Sequence, residues 1–458
     1  MVVIKRELLI AGSWPQWIAA VEIFLMSFVV GLERGWTSPA LAILLSSSSP
    51  MPTSETDGSW IASLLNIGRG AGAIIGAIDV ELLGSKTSVL HIGIIQTVSF
   101  IILGLAPSAF WIQVSRLIGG VATGMFFISF PLYIGEISNP SIRGALVVII
   151  GNGMSIGYVV GNVTGAFMSI PVFAAFSLAV TILFIVSFYW LPKSPHYLVL
   201  TDQVERASAA IIWYQRDADA AKELTSLQKF IKDNRSMTYK NLLNEFMLPH
   251  NRIALIKVNI LYILLQLSGL YTVGFYMEII LTKGEVKIVP PAMAVIIISS
   301  IGLIGGWIAI FTIDKYGRKI VLSSACVGLG AGLVGIAIHY QLLAVGVDPG
   351  SLQVLIIASI ILLEMSINLG IIPIPSTILS EIFSPKIKSY CSCISNITSG
   401  FVAFLVTQTY QMLIDWIGYY TYYIYAMMMF LLALFMMTMM PETKGKSLQE
   451  IQNMLLKK

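Results

Sequence analysis

The residues best equipped for chemistry in this chain are charges set in apolar surroundings. Glu33, Arg34, Arg69, Arg116 and Glu364 all lie inside long hydrophobic runs, where burying an ionisable group is costly and therefore marks a functional candidate. A second set occupies two short turns. Glu136-Ile137, Pro140, Ile142, Arg143 and Gly144 match Glu381-Ile382, Pro385, Ile387, Lys388 and Ser389 as one pattern repeated 245 residues apart. Upstream of each copy, Glu81-x-x-Gly84-x-Lys86 matches Asp314-x-x-Gly317-x-Lys319. Downstream, Pro192 in LPKSP matches Pro441 in MPETK. Three pairs in the same order imply a duplicated architecture. Carboxylates and cations recurring at helix ends in both halves are suited to pair across an interface while it is closed and to separate when it opens. Wet ion pairs are worth roughly 0–1 kcal/mol, weak enough for a two-state switch.

Other chemistries find little support. The four histidines, His91, His196, His250 and His339, show no ligand spacing, so no metal site is expected. Three cysteines cannot build a disulfide framework, and Cys391 and Cys393, two apart on a helical run, point to different faces. A membrane-embedded enzyme would need a constellation of His, Asp, Glu or Cys at mid-membrane depth, and only Glu33 and Glu364 offer themselves.

The elements that must carry these residues are membrane helices. With 56% hydrophobic and only 11% charged residues, the chain departs from a soluble globule, which carries about 25% charged residues. The expected fold is an all-α polytopic membrane protein, since helices satisfy the backbone in lipid. The runs predict twelve spans near 17–45, 60–79, 88–106, 109–134, 145–167, 171–191, 253–281, 290–313, 320–342, 352–379, 389–413 and 417–440. They divide into an amino-terminal six-helix bundle (1–191), a linker of short amphipathic helices (192–252), a carboxy-terminal six-helix bundle (253–440) and a tail (441–458). Placing both termini and the linker in the cytosol puts 23 of the 28 Lys and Arg inside and only Lys283 and Lys287 outside, as the positive-inside rule requires. The net charge of +4 carries no message about nucleic acid. Asn162-Val163-Thr164 is a glycosylation sequon only if it clears the membrane, and Asn234-Arg235-Ser236 falls on the cytosolic side. Glycines at 68, 70, 72 and 76 and at 119, 120 and 124 suit close helix packing.

Several motifs together resemble the sugar porter family of the major facilitator superfamily. They are Arg116-x3-Gly120-x3-Gly124, Pro131-x-Tyr133-x2-Glu136, Arg143-Gly144, Pro192-x-Ser194-Pro195, Gln266-x-Ser268-Gly269, Asp314-Lys315-Tyr316-Gly317-Arg318-Lys319 and Pro441-Glu442-Thr443-Lys444-Gly445. Gly35-Trp36-Thr37-Ser38-Pro39 is most similar to the insect facilitated trehalose transporter branch. The resemblance implies two six-helix bundles that rock about a substrate cavity. It also implies gating by Glu81, Lys86, Glu136, Arg143, Asp314, Arg318, Lys319, Glu381 and Lys388.

The same resemblance places substrate contacts on the fifth, seventh, eighth, tenth and eleventh helices, because a hydroxylated ring must regain its hydrogen bonds inside a cavity. Gln266, Ser268, Tyr276 and Asn396 match the family pattern. Gly151, Leu265, Tyr271, Ser376 and Gly302 stand where the family carries polar or aromatic groups, and Leu82 and Ser85 where it carries arginine. Asn152, Tyr158, Asn259, Ser299, Ser300 and Asn368 are substitutes by helix position. Glu33 falls where proton-coupled members carry an aspartate, and Arg116 where they carry its partner. A Glu33–Arg116 couple could carry a proton, because losing the arginine's field would favour proton uptake by the carboxylate; a static pair is the alternative. The expectation is a plasma-membrane sugar transporter working by facilitated diffusion as a monomer in the bilayer, without cofactor. The alternatives are a proton symporter and a solute sensor that does not cycle.

Overall fold

A computed structural model describes residues 12–456, apart from 48, 50, 218, 235–243 and 447 and the side chains of 233, 234, 314, 385 and 386. Among the described residues, twelve helices are long and apolar enough to cross a membrane. The first six are Trp14–Leu44, Glu55–Leu83, Ser85–Gly104, Ala109–Ile137, Pro140–Phe167 and Ile170–Tyr189. The seventh span comprises Pro249–Leu267, Leu270–Phe275 and Met277–Lys283; the eighth and ninth are Pro291–Tyr316 and Arg318–Ala344. The tenth joins Pro349–Ser366 to Pro373–Ile382, and the last two are Pro385–Ile417 and Tyr420–Met439. Most run longer than hydropathy alone predicts, because proline at the first helical turn starts spans one, five, six, seven, eight, ten and eleven outside the apolar core. The second is started by a capping box, Ser54 with Asp57.

Two spans are broken where the sequence reads as continuous. In the seventh, Ser268 turns its hydroxyl back to the Leu265 carbonyl and Gly269 adopts a left-handed φ of +68°. A Cβ there would lie 2.4 Å from the Tyr425 ring. Gly269→Ala is therefore expected to destabilise the protein by about 1–3 kcal/mol, read as a lowered melting temperature in detergent. In the tenth, Ile367–Ile371 is a π-helical turn closed by Ile372 N–H to the Ile367 carbonyl at 3.0 Å. Pro373 follows, and its missing donor and bulky ring force the preceding ladder to widen.

The duplication is visible as a packing rule. Span one packs on five, two on four and three on six; in the second half seven packs on eleven, eight on ten and nine on twelve. The halves meet through spans two and eleven and through five and eight, which are equivalent pairs in the repeat. Glycines make these approaches possible. A Cβ on Gly72 would fall 2.1 Å from the Val121 carbonyl and one on Gly35 2.0 Å from the Tyr158 carbonyl. Gly70 is different, facing Ile397 and Gly400 of the opposite half.

The repeated turns are built alike. Gly84 and Gly317 have φ of +86° and +90°, conformations that favour glycine. Each turn docks the segment that follows its own sixth helix. Tyr197 hydroxyl donates to the Leu82 carbonyl, and the Glu442 carboxylate accepts from the Arg318, Lys319 and Lys444 backbone N–H groups at 3.1, 3.0 and 2.9 Å. Burial alone would raise Glu442, but these donors together with the Thr443 N–H hold it below the ordinary carboxylate range.

The linker forms Pro195–Leu200, Val204–Tyr214 and Ala220–Asn234. Leu198, Val199, Ala207, Ala210 and Ile231 give it a small core of its own. It docks on the first bundle, where Tyr214 hydroxyl bonds Tyr133 hydroxyl at 2.8 Å and its carbonyl accepts from Gln16 at 2.9 Å.

Candidate functional site

Away from the linker, the halves are stitched together by polar contacts. Ser63 donates to Gln408 at 2.6 Å, Asn66 to Thr407 at 3.3 Å, Glu278 N–H to Ser38 at 3.0 Å and Asn162 to Ser299 at 3.2 Å. The stitching ends at Cys393 Sγ and the Ala73 carbonyl, 3.5 Å apart. Toward the linker from there, no hydrogen bond or ion pair joins the halves among the described residues. Ile74, Ile78, Tyr390 and Ile394 are exposed, and a Cβ on Gly144 or Gly151 would meet nothing within 4 Å. The interface is thus closed on one side and parted on the other.

Where it begins to part, buried polar groups of both halves converge. Arg69 of span two is 7% exposed; its guanidinium donates to the Tyr271 hydroxyl and, at 3.2 Å, to Ser399 Oγ. Gln266 Nε2 donates to the same Ser399 oxygen at 2.8 Å. Arg34 of span one comes from another direction, so that the Cζ atoms of Arg34 and Arg69 each lie 4.7 Å from the Tyr271 ring centroid. Glu364 of span ten is buried within electrostatic reach of Arg34, though not in a close ion pair with it. The Nε atoms of both arginines and Gln266 Oε1 are buried without a partner among the described residues. The break after Leu267 sets this geometry, turning Tyr271 across the interface.

Only part of the expected site lies here. Gln266 belongs to it. Ser268 is committed to its own turn, Asn396 donates to the Ser392 carbonyl at 2.9 Å, and Tyr276 lies against Tyr410, ring centroids 4.7 Å apart. Asn152 is half-buried on span five, nearer the parted side. Among the substitutes, Tyr158 feels both Glu364 and Arg34, and Asn368 donates to the Glu364 carbonyl at 3.0 Å. Asn259 and Ser300 bond carbonyls of their own helices. Asn162, 1% exposed and bonded to Tyr158 and Ser299, is packed inside the protein rather than presented to a glycan; the Asn234 side chain lies outside the described residues. The sequence marks Arg34, Arg69 and Glu364 as intramembrane charges, but nothing in their spacing brings them to one cluster.

Glu33 and Arg116 do pair, at 3.5 Å and 3% and 1% exposed, inside the first bundle. Arg116 also donates to the Glu33 and Ile61 carbonyls and to Thr37, while Gln96 donates to Glu33 at 3.1 Å. Gly119 makes room, since a Cβ there would fall 1.9 Å from Glu33 Oε1.

Where the interface is parted, the gate residues pair within their own halves. Glu136 accepts from Ser85 and lies 3.5 Å from His196, all within one half and its linker. Glu381 pairs with Arg318 at 3.0 Å within the other half. Arg143 closes its own turn on Gly135 and Ser138. Lys86 donates to the Tyr189 carbonyl at 2.8 Å, Glu81 is exposed, and Lys388 is half-buried within electrostatic reach of Arg143 and Glu381. The Asp314 side chain lies outside the described residues. With the interface parted on this side, each charge takes the partner that its own repeat brings near.

Two six-helix bundles with a common packing rule, joined at repeat-equivalent contacts around a buried polar cluster, make up the major facilitator fold. The family model described as sugar (and other) transporter matches residues 19–455, and the chain belongs to that family of transporters rather than to an enzyme family. It is 27% identical over 97% of its length to proteins named facilitated trehalose transporter Tret1 from Drosophila yakuba and Anopheles gambiae. It covers 52% and 56% of those relatives, about half their length. In fold it is similar to the inward-open xylose transporter XylE from E. coli, with a TM-score of 0.77 at 20% identity, covering 96% of this chain and 99% of that one. The proton:xylose symporter XylE bound to 6-bromo-6-deoxy-D-glucose gives 0.75 at 20% identity, covering 95% and 99%.

Proposed function

We propose that this chain moves a small polyhydroxylated solute of the sugar class across the plasma membrane by alternating access, its termini and linker in the cytosol and a single copy sufficing. The observation that carries this reading is the interface between the bundles, closed by inter-half contacts on one side and holding, where it begins to part, a buried polar cluster in which Gln266 Oε1 and the Nε atoms of Arg34 and Arg69 have no partner among the described residues. The family and the trehalose-transporter relatives support the solute class. Rocking about the contacts of spans two with eleven and five with eight would bring the parted ends together, where Arg143, Glu381 and Lys388 could exchange their present partners for ones across the gap.

Facilitated diffusion is the reading of choice over proton coupling. Glu33 is enclosed by Arg116 and Gln96 within one bundle, so its surroundings need not change as the bundles rock. Uptake of labelled glucose and trehalose into expressing oocytes should be saturable and equal at external pH 5.5 and 7.5. Gln266→Ala should weaken it about 2–10-fold, the worth of one hydrogen bond to a neutral hydroxyl. Acid-stimulated uptake would move Glu33 into a coupling role. Absence of uptake, with the protein at the surface, would refute the transport reading.

A further inference from the structure

Taking the chain as a carrier of sugar-class solutes, we propose that the polar cluster between its halves selects an acid: a polyhydroxylated monoanion bearing a carboxylate, such as a hexuronate, held by Arg69 with Arg34 beside it. Arg69 is 7% exposed, yet no carboxylate bonds or pairs with it among the described residues. Its partners are two neutral hydroxyls, Tyr271 and Ser399, and its Nε points to none. A buried guanidinium so placed is an uncompensated cation, and its planar fork matches a carboxylate. Arg34 brings a second positive charge to the same Tyr271 ring, and Glu364 lies within electrostatic reach of Arg34. The two cations and one carboxylate leave the equivalent of one positive charge for a ligand, which suits a monoanion over a neutral sugar or a dianion. Gln266 Oε1, unpartnered beside the same Ser399, remains to accept from the solute's hydroxyls. The Glu33–Arg116 pair is internally neutral and takes no part.

The test is ligand-induced thermal stabilisation of the purified full-length chain, titrated with sodium glucuronate, glucose and glucose 6-phosphate against matched sodium chloride. Glucuronate should bind at least about tenfold more tightly than glucose. Arg69→Gln should remove that preference, weakening glucuronate at least about tenfold and glucose by clearly less. Glu364→Gln should tighten glucuronate severalfold, a change of sign that a merely structural role for these residues would not produce. Glucuronate binding no better than glucose, equal loss of both ligands in Arg69→Gln, or no response to Glu364→Gln would overturn the proposal. Tighter binding of glucose 6-phosphate would overturn the carboxylate assignment. Uptake into proteoliposomes separates the two readings. Glucuronate binding without uptake of any solute sustains the anion site and rejects the carrier, whereas glucose uptake without glucuronate binding does the reverse.

Discussion

Replacing Arg116 by leucine should destabilise the first bundle by about 3–5 kcal/mol, the cost of leaving one member of a buried ion pair without its partner. The change strips Glu33 of its cation and also removes the donors to the Ile61 carbonyl and Thr37. Glu33→Gln should be milder, since the amide keeps hydrogen bonding to Gln96 and the arginine retains its neutral acceptors. Combining Glu33→Leu with Arg116→Leu should recover much of the loss, because apolar replacement of a whole buried pair is often neutral or stabilising. Melting temperatures of the purified variants decide this. A double variant no better than Arg116→Leu would show that shape, not charge, sets the cost.

Gly400→Val should stop transport while leaving the protein folded. Gly400 lies against the Asn66 carbonyl and the Gly70 backbone, and an added Cβ would fall 2.8 Å from each. Overpacking costs about 1–3 kcal/mol, enough to move a two-state equilibrium roughly 5–150-fold. The contact exists only where the halves are closed, so the shift should favour the opposite opening. Cysteine labelling at position 63 from the side away from the linker should rise as uptake falls. Uptake at the parent rate would mean that this contact is not tight in either state.

Much of the fold could be read from the chain because its physics is local. Twelve apolar runs must be helices in lipid, and the three repeated motifs marked a duplication that the structure expresses as one packing rule and as two matching glycine turns. The site was less legible. Gln266 could be placed from its motif, but Arg34, Arg69, Tyr271 and Glu364 come from four different spans, and their convergence depends on helix rotation and on the break after Leu267. Tyr271 reads in sequence as a departure from the family pattern; in space it is the ring on which two arginines meet. The pairing of Glu381 with Arg318, and of Glu136 with Ser85 and His196, was hidden for a related reason. Spacing marks helix ends as equivalent but does not say whether each end faces its own half or the other.

The docking of the linker bears on the order in which the protein is made. Tyr133 and Glu136 find partners in Tyr214 and His196, residues that leave the ribosome only after the sixth span. The first bundle is therefore completed by a segment synthesised before any of the second, and domains commonly fold as units in the order of synthesis. A chain severed after the linker would hold everything its first half needs to close, and the two halves made separately in one cell would meet as finished parts. The linker thereby serves as the end of the first half's folding programme as much as a tether to the second.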